Sequence, residues 1–409
     1  MSRRAGLWVG FVVVHVAVAV LGFVLPNNPM GDVYLVYEPW TLQALSGAGI
    51  PGIDFTWIYP QLALVPLVLT QGLEWIAGYT IAWAIVVTLC DAAAFAVLVG
   101  NGRSRGRWLA GWFWLVFILL LGPVGMYRLD GITVPLAIAG CLWLVGRPWL
   151  ASVLLAIATW IKVWPAALLG AAVIAVRQRL FLIGGALAVS AITLVAVALL
   201  GGARHALGFV TEQAGRGLQV EAPVSGFYLW GTALGLEGFS VYYDTDLLTY
   251  QVTGAHLDAV IAVMTPLLIV GMLALAALGA FKAWRGATYV RLFPPLALSL
   301  VLGFIVLNKV GSPQYLTWII APLALGLVLD RRRWWAPALV GLVAALLTQI
   351  VYPITYGGVI GAEIFAVTGL TVRNLLLVAL WVWTIASLVR IPTKRVFESI
   401  RQDAATSLP

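Results

Sequence analysis

Residues 3–25 read "RRAGLWVGFVVVHVAVAVLGFVL". Two arginines lead into a run whose only polar side chain is His15. About 20 apolar residues in a helix cross the hydrocarbon core of a bilayer. Backbone N–H and C=O groups in lipid need partners within their own segment, so such a run must be helical. A basic start and an apolar run also describe a signal peptide. No small-x-small cleavage site follows, however, and further apolar runs come later. The expectation is an uncleaved first membrane helix.

The rest of the chain repeats this pattern. Of 409 residues, 62% are hydrophobic and 10% are charged. A soluble domain carries about 25% charged residues. The mean hydropathy is +1.00. These values predict an all-α polytopic membrane protein, with about 12 transmembrane helices. The crossings are expected at 6–25, 79–100, 108–126, 131–146, 149–161, 164–176, 180–201, 257–281, 291–307, 317–330, 334–351 and 371–389. The pair within 149–176 is short and reads as a helical hairpin entering from one side. The stretch 60–75 is apolar but holds Pro60, Pro66, Gly72 and Glu74. It reads as an interfacial or partly inserted helix. No internal repeat, low-complexity tract or soluble domain is visible, so 1–390 is expected to be a single integral-membrane domain. A polar tail at 391–409 follows it.

Charge orients this map. With the N-terminus inside, all but six of the 24 Lys and Arg residues fall in cytoplasmic loops or the tail, as the positive-inside rule requires. The six are Arg128, Lys162, Arg204, Arg216, Lys309 and Arg373. Acids run the other way: Asp330, Glu398 and Asp403 are inside, Asp91 lies within a helix, and the other twelve of the 16 lie at or near the outer face. Both termini are therefore expected in the cytoplasm, and the loops 26–78 and 202–256 outside. The second of these is expected to form short interfacial helices and turns. The net charge of +8 is scattered in short clusters between apolar runs and does not point to nucleic acid. Cys90 and Cys141 both lie in apolar runs, where free cysteines pack as small hydrophobes. His15, His205 and His256 fit no metal-ligand spacing. His15 reads as a packed core residue. Asp91 reads as a hydrogen-bonded buried carboxylate or as a proton-relay acid.

The candidate chemistry lies outside the membrane. Asp32 follows the first helix, in "DVYLVYEPW". A partly shielded carboxylate there could take a proton from a hydroxyl; equally, it could cap a helix. Glu38 and Asp54 share its loop. Paired acids can serve glycosidases, but sequence spacing does not fix their separation. Tyr34, Tyr37, Trp40, Trp57 and Tyr59 could stack on a sugar face. Outward-facing cations are few, so Arg128, Lys162, Arg216 and Lys309 are candidates for an anionic site such as a lipid phosphate. Local pairing is the rival reading for Arg128 (with Asp130) and Arg216 (with Glu212 or Glu221). Lys162 and Lys309 have no acid close in sequence. A charge near membrane depth, like Lys162, is costly and often functional.

The order of the motifs is familiar. "DVYLVY" (32–37), "WIYPQLALVPL" (57–67), "YRLDG" (127–131), "IKVWPAALL" (161–169), "RGLQVE" (216–221) and "NKVGSPQYLTW" (308–318) together resemble glycosyltransferase family 87, integral-membrane enzymes of the GT-C superfamily. The resemblance covers nearly the whole chain. It implies a GT-C type fold with outer-face loops and interfacial helices. It also implies transfer of a sugar, mannose first among candidates, from a polyprenyl-phosphate donor to a glycolipid or lipoglycan acceptor at the outer face of the plasma membrane, with inversion. Asp32 falls on the family's catalytic acid and Lys162 on its Ile-Lys-x-x-Pro lysine. Ser312 to Tyr315 form the Ser-Pro-Gln-Tyr segment, so Gln314 and Tyr315 join the sugar- or acceptor-binding candidates. No metal or other cofactor is implied, in keeping with the lack of an Asp-x-Asp pair in the first loop. Two other readings are a multi-spanning secondary transporter and a polyprenyl-lipid-binding flippase. A transporter of this size usually shows related halves and midplane charges, and neither is apparent.

Overall fold

The computed structural model describes residues 2–245 and 247–392. Most of the 391–409 tail, with Lys394, Arg395, Glu398, Arg401 and Asp403, lies outside the described residues. About three quarters of the chain is helical. The α-helices in chain order are α1 (Arg3–Val24), α2 (Glu38–Leu45), α3 (Leu64–Gln71), α4 (Tyr79–Val99), α5 (Arg105–Leu121), α6 (Asp130–Trp143), α7 (Pro148–Ile161) and α8 (Pro165–Ala175). They continue with α9 (Arg179–Leu199), α10 (Gly208–Ala214), α11 (Gly226–Ala233), α12 (Leu257–Trp284), α13 (Tyr289–Val306), α14 (Ile320–Gln349), α15 (Tyr356–Ile360) and α16 (Ile364–Val389).

Among the described residues, eight helical segments are long and apolar enough to cross a membrane. Helices α6, α7 and α8 have 14, 14 and 11 residues. At 1.5 Å rise per residue they fall short of the ~30 Å hydrocarbon core. The expected crossings 317–330 and 334–351 form one assigned helix, α14, broken at Asp330 (φ −149°, ψ 78°). Helix α16 begins at Ile364, ahead of the expected 371, because "IFAVTG" continues the apolar pattern through Gly369. The stretch 60–75 is a series of short helical pieces, as its prolines and glycines require.

One expectation is corrected. The outer segment 202–256 does contain short helices, but it also holds an antiparallel hairpin. Its strands are β1 (Ser240–Asp244) and β2 (Thr249–Thr253), paired Ser240 to Thr253 through Asp244 to Thr249. "SVYYD" and "TYQVT" are rich in β-branched and aromatic residues, which suit a pleated strand. One face of this hairpin packs on α11.

Helix ends follow from local chemistry. Pro148 and Pro165 start α7 and α8, where a missing N–H costs nothing. Gly100 (φ 53°) and Gly122 (φ 70°) end α4 and α5 in conformations that side chains resist. Lys282 reaches from α12 to cap α16, its Nζ donating to the carbonyls of Val389 at 2.5 Å and Ile391 at 3.1 Å. Helices α4, α5, α6, α13 and α14 together carry more than half of the main buried core. Helices α1, α9 and α12 keep rows of Val, Leu and Ile exposed on their outer sides, a surface suited to lipid. Within the bundle His15 of α1 bonds Asp91 of α4 (Nε2 to Oδ2, 3.0 Å), and its Nδ1 lies 2.9 Å from the Phe11 carbonyl. Asp91 is therefore buried and hydrogen-bonded.

Candidate functional site

A cavity of about 330 Å³ opens where the loops at one end of the bundle meet. Its walls include Asp32, Arg128, Lys162, Arg216, Glu221, Gln314 and Tyr315. These come from separate connections: after α1, between α5 and α6, between α7 and α8, between α10 and α11, and after α13.

Asp32 directly precedes a π-helical turn, Val33–Tyr37, that runs into α2. Such turns are rare and concentrate at functional sites. This one buries Val33 and Tyr37 and leaves Val36 and Trp40 on the cavity wall. Asp32 Oδ2 lies 3.0 Å from Arg128 Nε. The Nε–H is not aimed at it, so the contact is an ion pair without a formed hydrogen bond. The rest of the guanidinium is anchored: Nη1 donates to the carbonyls of Pro29 (3.0 Å) and Tyr127 (2.8 Å), and Nη2 to the Tyr352 hydroxyl (3.3 Å). Burial acts to lower the Arg128 pKa, but Asp32 and the tyrosines outweigh it, and the group is held firmly charged. Asp32, by contrast, is about a third exposed. The local reading of Arg128 is corrected: its partner is Asp32, brought from 96 positions away, not Asp130.

Asp130 serves Lys162 instead. Lys162 is an extended residue (φ −154°, ψ 134°) that ends α7. Its Nζ lies 2.5 Å from Asp130 Oδ2, and Trp318 Nε1 donates to Oδ1 at 2.5 Å. Asp130 is fully buried at the first turn of α6, where the helix dipole favours a carboxylate. The Lys162 ammonium also sits 5.8 Å from the ring centres of Tyr59 and Tyr315, within cation–π range. The lysine with no acid near it in sequence therefore has one in space.

Arg216 reaches the wall without an ion pair to Glu212 or Glu221 among the described residues, and its buried Nε has no partner. Glu221 pairs instead with Arg373 of α16, Oε2 to Nη2 at 3.5 Å. Burial pushes the Glu221 carboxyl up to about 7; Arg373, Arg128 and a hydrogen bond from Tyr356 oppose the rise. Its Oε2 has no hydrogen bond, so it is a buried acceptor on the cavity wall.

The remaining candidates divide. Tyr59, Gln314 and Tyr315 line the cavity. Tyr37 lies beneath it, its hydroxyl accepting from the Leu129 amide at 3.3 Å; burial raises its pKa. Trp57 also lies beneath, in edge-on contact with Trp40 and Tyr59. Tyr34 packs on the core and is not on the wall. Glu38 is off the wall too, on the side of α2 near Glu74, where burial and then that acid raise its pKa. The helical period explains this, since neighbours in a helix point in different directions. Asp54 closes a turn by accepting from the Ile50 amide at 2.6 Å. Lys309 is buried off the wall; its carbonyl accepts from Gln219 N at 3.0 Å and so ties two wall segments together.

Sequence reasoning missed the roles of Asp130 and Glu221 as partners of distant cations. It also missed Tyr250, Tyr352 and Tyr356 as wall residues. Only "YRLDG" and "RGLQVE", already singled out, could have pointed to the two acids. Among the described residues no three His, Cys, Asp or Glu side chains converge as a metal site would need. Compared with family models, curated proteins and solved structures, the chain matches none.

Proposed function

We propose that the protein is a membrane glycosyltransferase of GT-C type, with twelve crossings if the short helices and the two halves of α14 are counted. It moves a sugar, mannose by the motif resemblance, from a polyprenyl-phosphate donor to a glycolipid or lipoglycan. The cavity faces the outside of the plasma membrane, and both termini are cytoplasmic. The observation that carries this reading is the convergence of Asp32, Arg128, Lys162 and Arg216 on one cavity from four separate loops.

The chemistry follows from charge placement. Asp32, exposed at the wall, accepts the proton of an acceptor hydroxyl. That oxygen bonds to the anomeric carbon from the face opposite the phosphate. The bond from that carbon to the phosphate oxygen breaks, polyprenyl phosphate leaves with the electron pair, and the configuration inverts. Negative charge grows on the leaving phosphate, so fixed cations lower the barrier. Arg216 and Lys162 serve this role, while Arg128 holds Asp32 in place. Tyr59, Tyr315 and Trp40 offer ring faces and edges to the sugars.

The test is a transfer assay on purified protein. It uses labelled polyprenyl-phosphate mannose with a membrane lipid extract as acceptor, wild type beside Asp32→Asn. Label should enter a new lipid with wild type and fall at least ~100-fold with the variant, the scale of a lost general base. Retained activity in Asp32→Asn would remove Asp32 from its role. No transfer by either, with mannose or arabinose donors, would favour the transporter or lipid-binding readings.

A further inference from the structure

We infer that the end of the bundle opposite the cavity carries a binding site for the phosphate headgroup of an anionic phospholipid, built by Arg3, Arg105 and Arg331. Helix α1 runs from Arg3 toward Asp32 over 22 residues, about 33 Å at helical rise, so this site is distinct from the first. It does not depend on the proposed transfer reaction.

The three arginines line one cavity of about 440 Å³ together with Trp108 and Leu109. Backbone packing brings them there. A Cβ on Gly106 would lie 2.8 Å from the Val328 carbonyl, so the start of α5 lies against α14 just before its break. A Cβ on Gly102 would meet Arg4 at 3.0 Å, so the start of α1 rests on the α4–α5 connection. Arg331 is the first residue after the break at Asp330.

Three guanidinium groups around one hollow repel one another, at a cost that falls only with screening or a counter-charge. No carboxylate among the described residues supplies it. Asp330, the nearest acid in sequence, accepts from Arg333 N at 3.3 Å and lines a different cavity with Arg291 and Arg333. None of the described ion pairs involves the three arginines. Positive loops on one side are expected of any membrane protein; their convergence on one hollow is not. Arginine forks match phosphate oxygens in pairs. A lipid source fits better than free phosphate for two reasons. Trp108, 36% exposed, gives the hollow an aromatic wall, a residue that favours the headgroup level. The adjoining α1 continues into exposed Val9, Val12, Val13 and Val16, a surface for acyl chains.

The test is native mass spectrometry of the full chain titrated with phosphatidylglycerol, phosphatidylcholine, or phosphatidylglycerol plus excess inorganic phosphate. Wild type is set beside Arg3→Gln/Arg105→Gln/Arg331→Gln, and beside Arg147→Gln/Arg177→Gln/Arg179→Gln, which removes equal charge elsewhere. At ~1 kcal/mol per basic residue near a membrane surface, the first triple variant should bind phosphatidylglycerol about 100-fold more weakly. The second should match wild type, and phosphatidylcholine should not distinguish the three. Equal retention of phosphatidylglycerol by the first variant, an equal loss in the second, or complete displacement by inorganic phosphate would each overturn the site. If the triple variant does not purify, Arg3→Gln decides, since Arg3 lies at the exposed chain start. About fivefold weaker binding supports the site, and unchanged binding overturns it.

Discussion

Asp130 has no exposed surface, yet it holds Lys162, one of the two cations that have no acid close in sequence. Desolvating both charges is costly, and removing one member strands the other, typically at 3–5 kcal/mol. The two members are not equivalent. Lys162 keeps 13% of its side chain exposed and can turn toward the cavity, whereas Asp130 cannot leave its place between Lys162 and Trp318. Lys162→Met should therefore lower stability by about 3 kcal/mol, and Asp130→Asn by less. The double variant should lose less than the sum. Thermal unfolding of the three purified variants in one detergent checks this order. Additive losses would mean the pair is not coupled. On the proposed mechanism, the double variant should also stay inactive in transfer, because stability returns without the cation.

At the scale of elements, the cavity depends on interruptions in helices. The π-helical turn after Asp32, the extended Lys162 between α7 and α8, and the segment before α14 each turn side chains that a continuous helix would direct elsewhere. The tightest of these joints is at Gly311. A Cβ there would lie 2.2 Å from Ala222 N and 2.4 Å from the Glu221 carbonyl carbon. The chain around Gly311 therefore crosses the Glu221 segment backbone against backbone. Gly311→Ala must push the two apart, at about 1–3 kcal/mol for an overpacked site. Its thermal midpoint and transfer activity should both fall. Gly215→Ala, with nothing within 4 Å of the added carbon, should leave the midpoint within the ±0.5 kcal/mol of an ordinary surface change. Equal behaviour of the two would show that the crossing can relax.

For the whole molecule, every connection that lines the Asp32 cavity emerges at one end of the bundle, and Arg3, Arg105 and Arg331 lie at the other. Positive-inside reasoning assigns the arginine end to the cytoplasm. In a variant with Cys90 and Cys141 replaced by alanine, single cysteines at Gly215 and Gly357 should react with an impermeant maleimide on intact cells. Both positions have open space around them. Cysteines at Arg103 and Gly146 should react only after the membrane is opened. The reverse pattern would invert the topology and place the cavity in the cytoplasm.

The sequence by itself determined the helical membrane class, the positions of nearly all the long helices and the separation of basic from acidic ends. These follow from apolar run length, proline and glycine placement and loop charge, which are local properties. It also marked Asp32, Arg128, Lys162, Arg216 and Tyr59 as residues of interest. Only the tertiary structure decided which charges meet. Asp32 with Arg128, Lys162 with Asp130 and Glu221 with Arg373 join different loops or helices, and an ion pair depends on distance in space rather than along the chain. The same holds for Tyr34 and Glu38. Their composition suited a sugar site, but the turn after Asp32 directs them away from the cavity. The β-hairpin near the cavity mouth was hidden for a related reason. Its aromatic strands fit an interfacial helix as well as a sheet until α11 supplies the surface that one face covers.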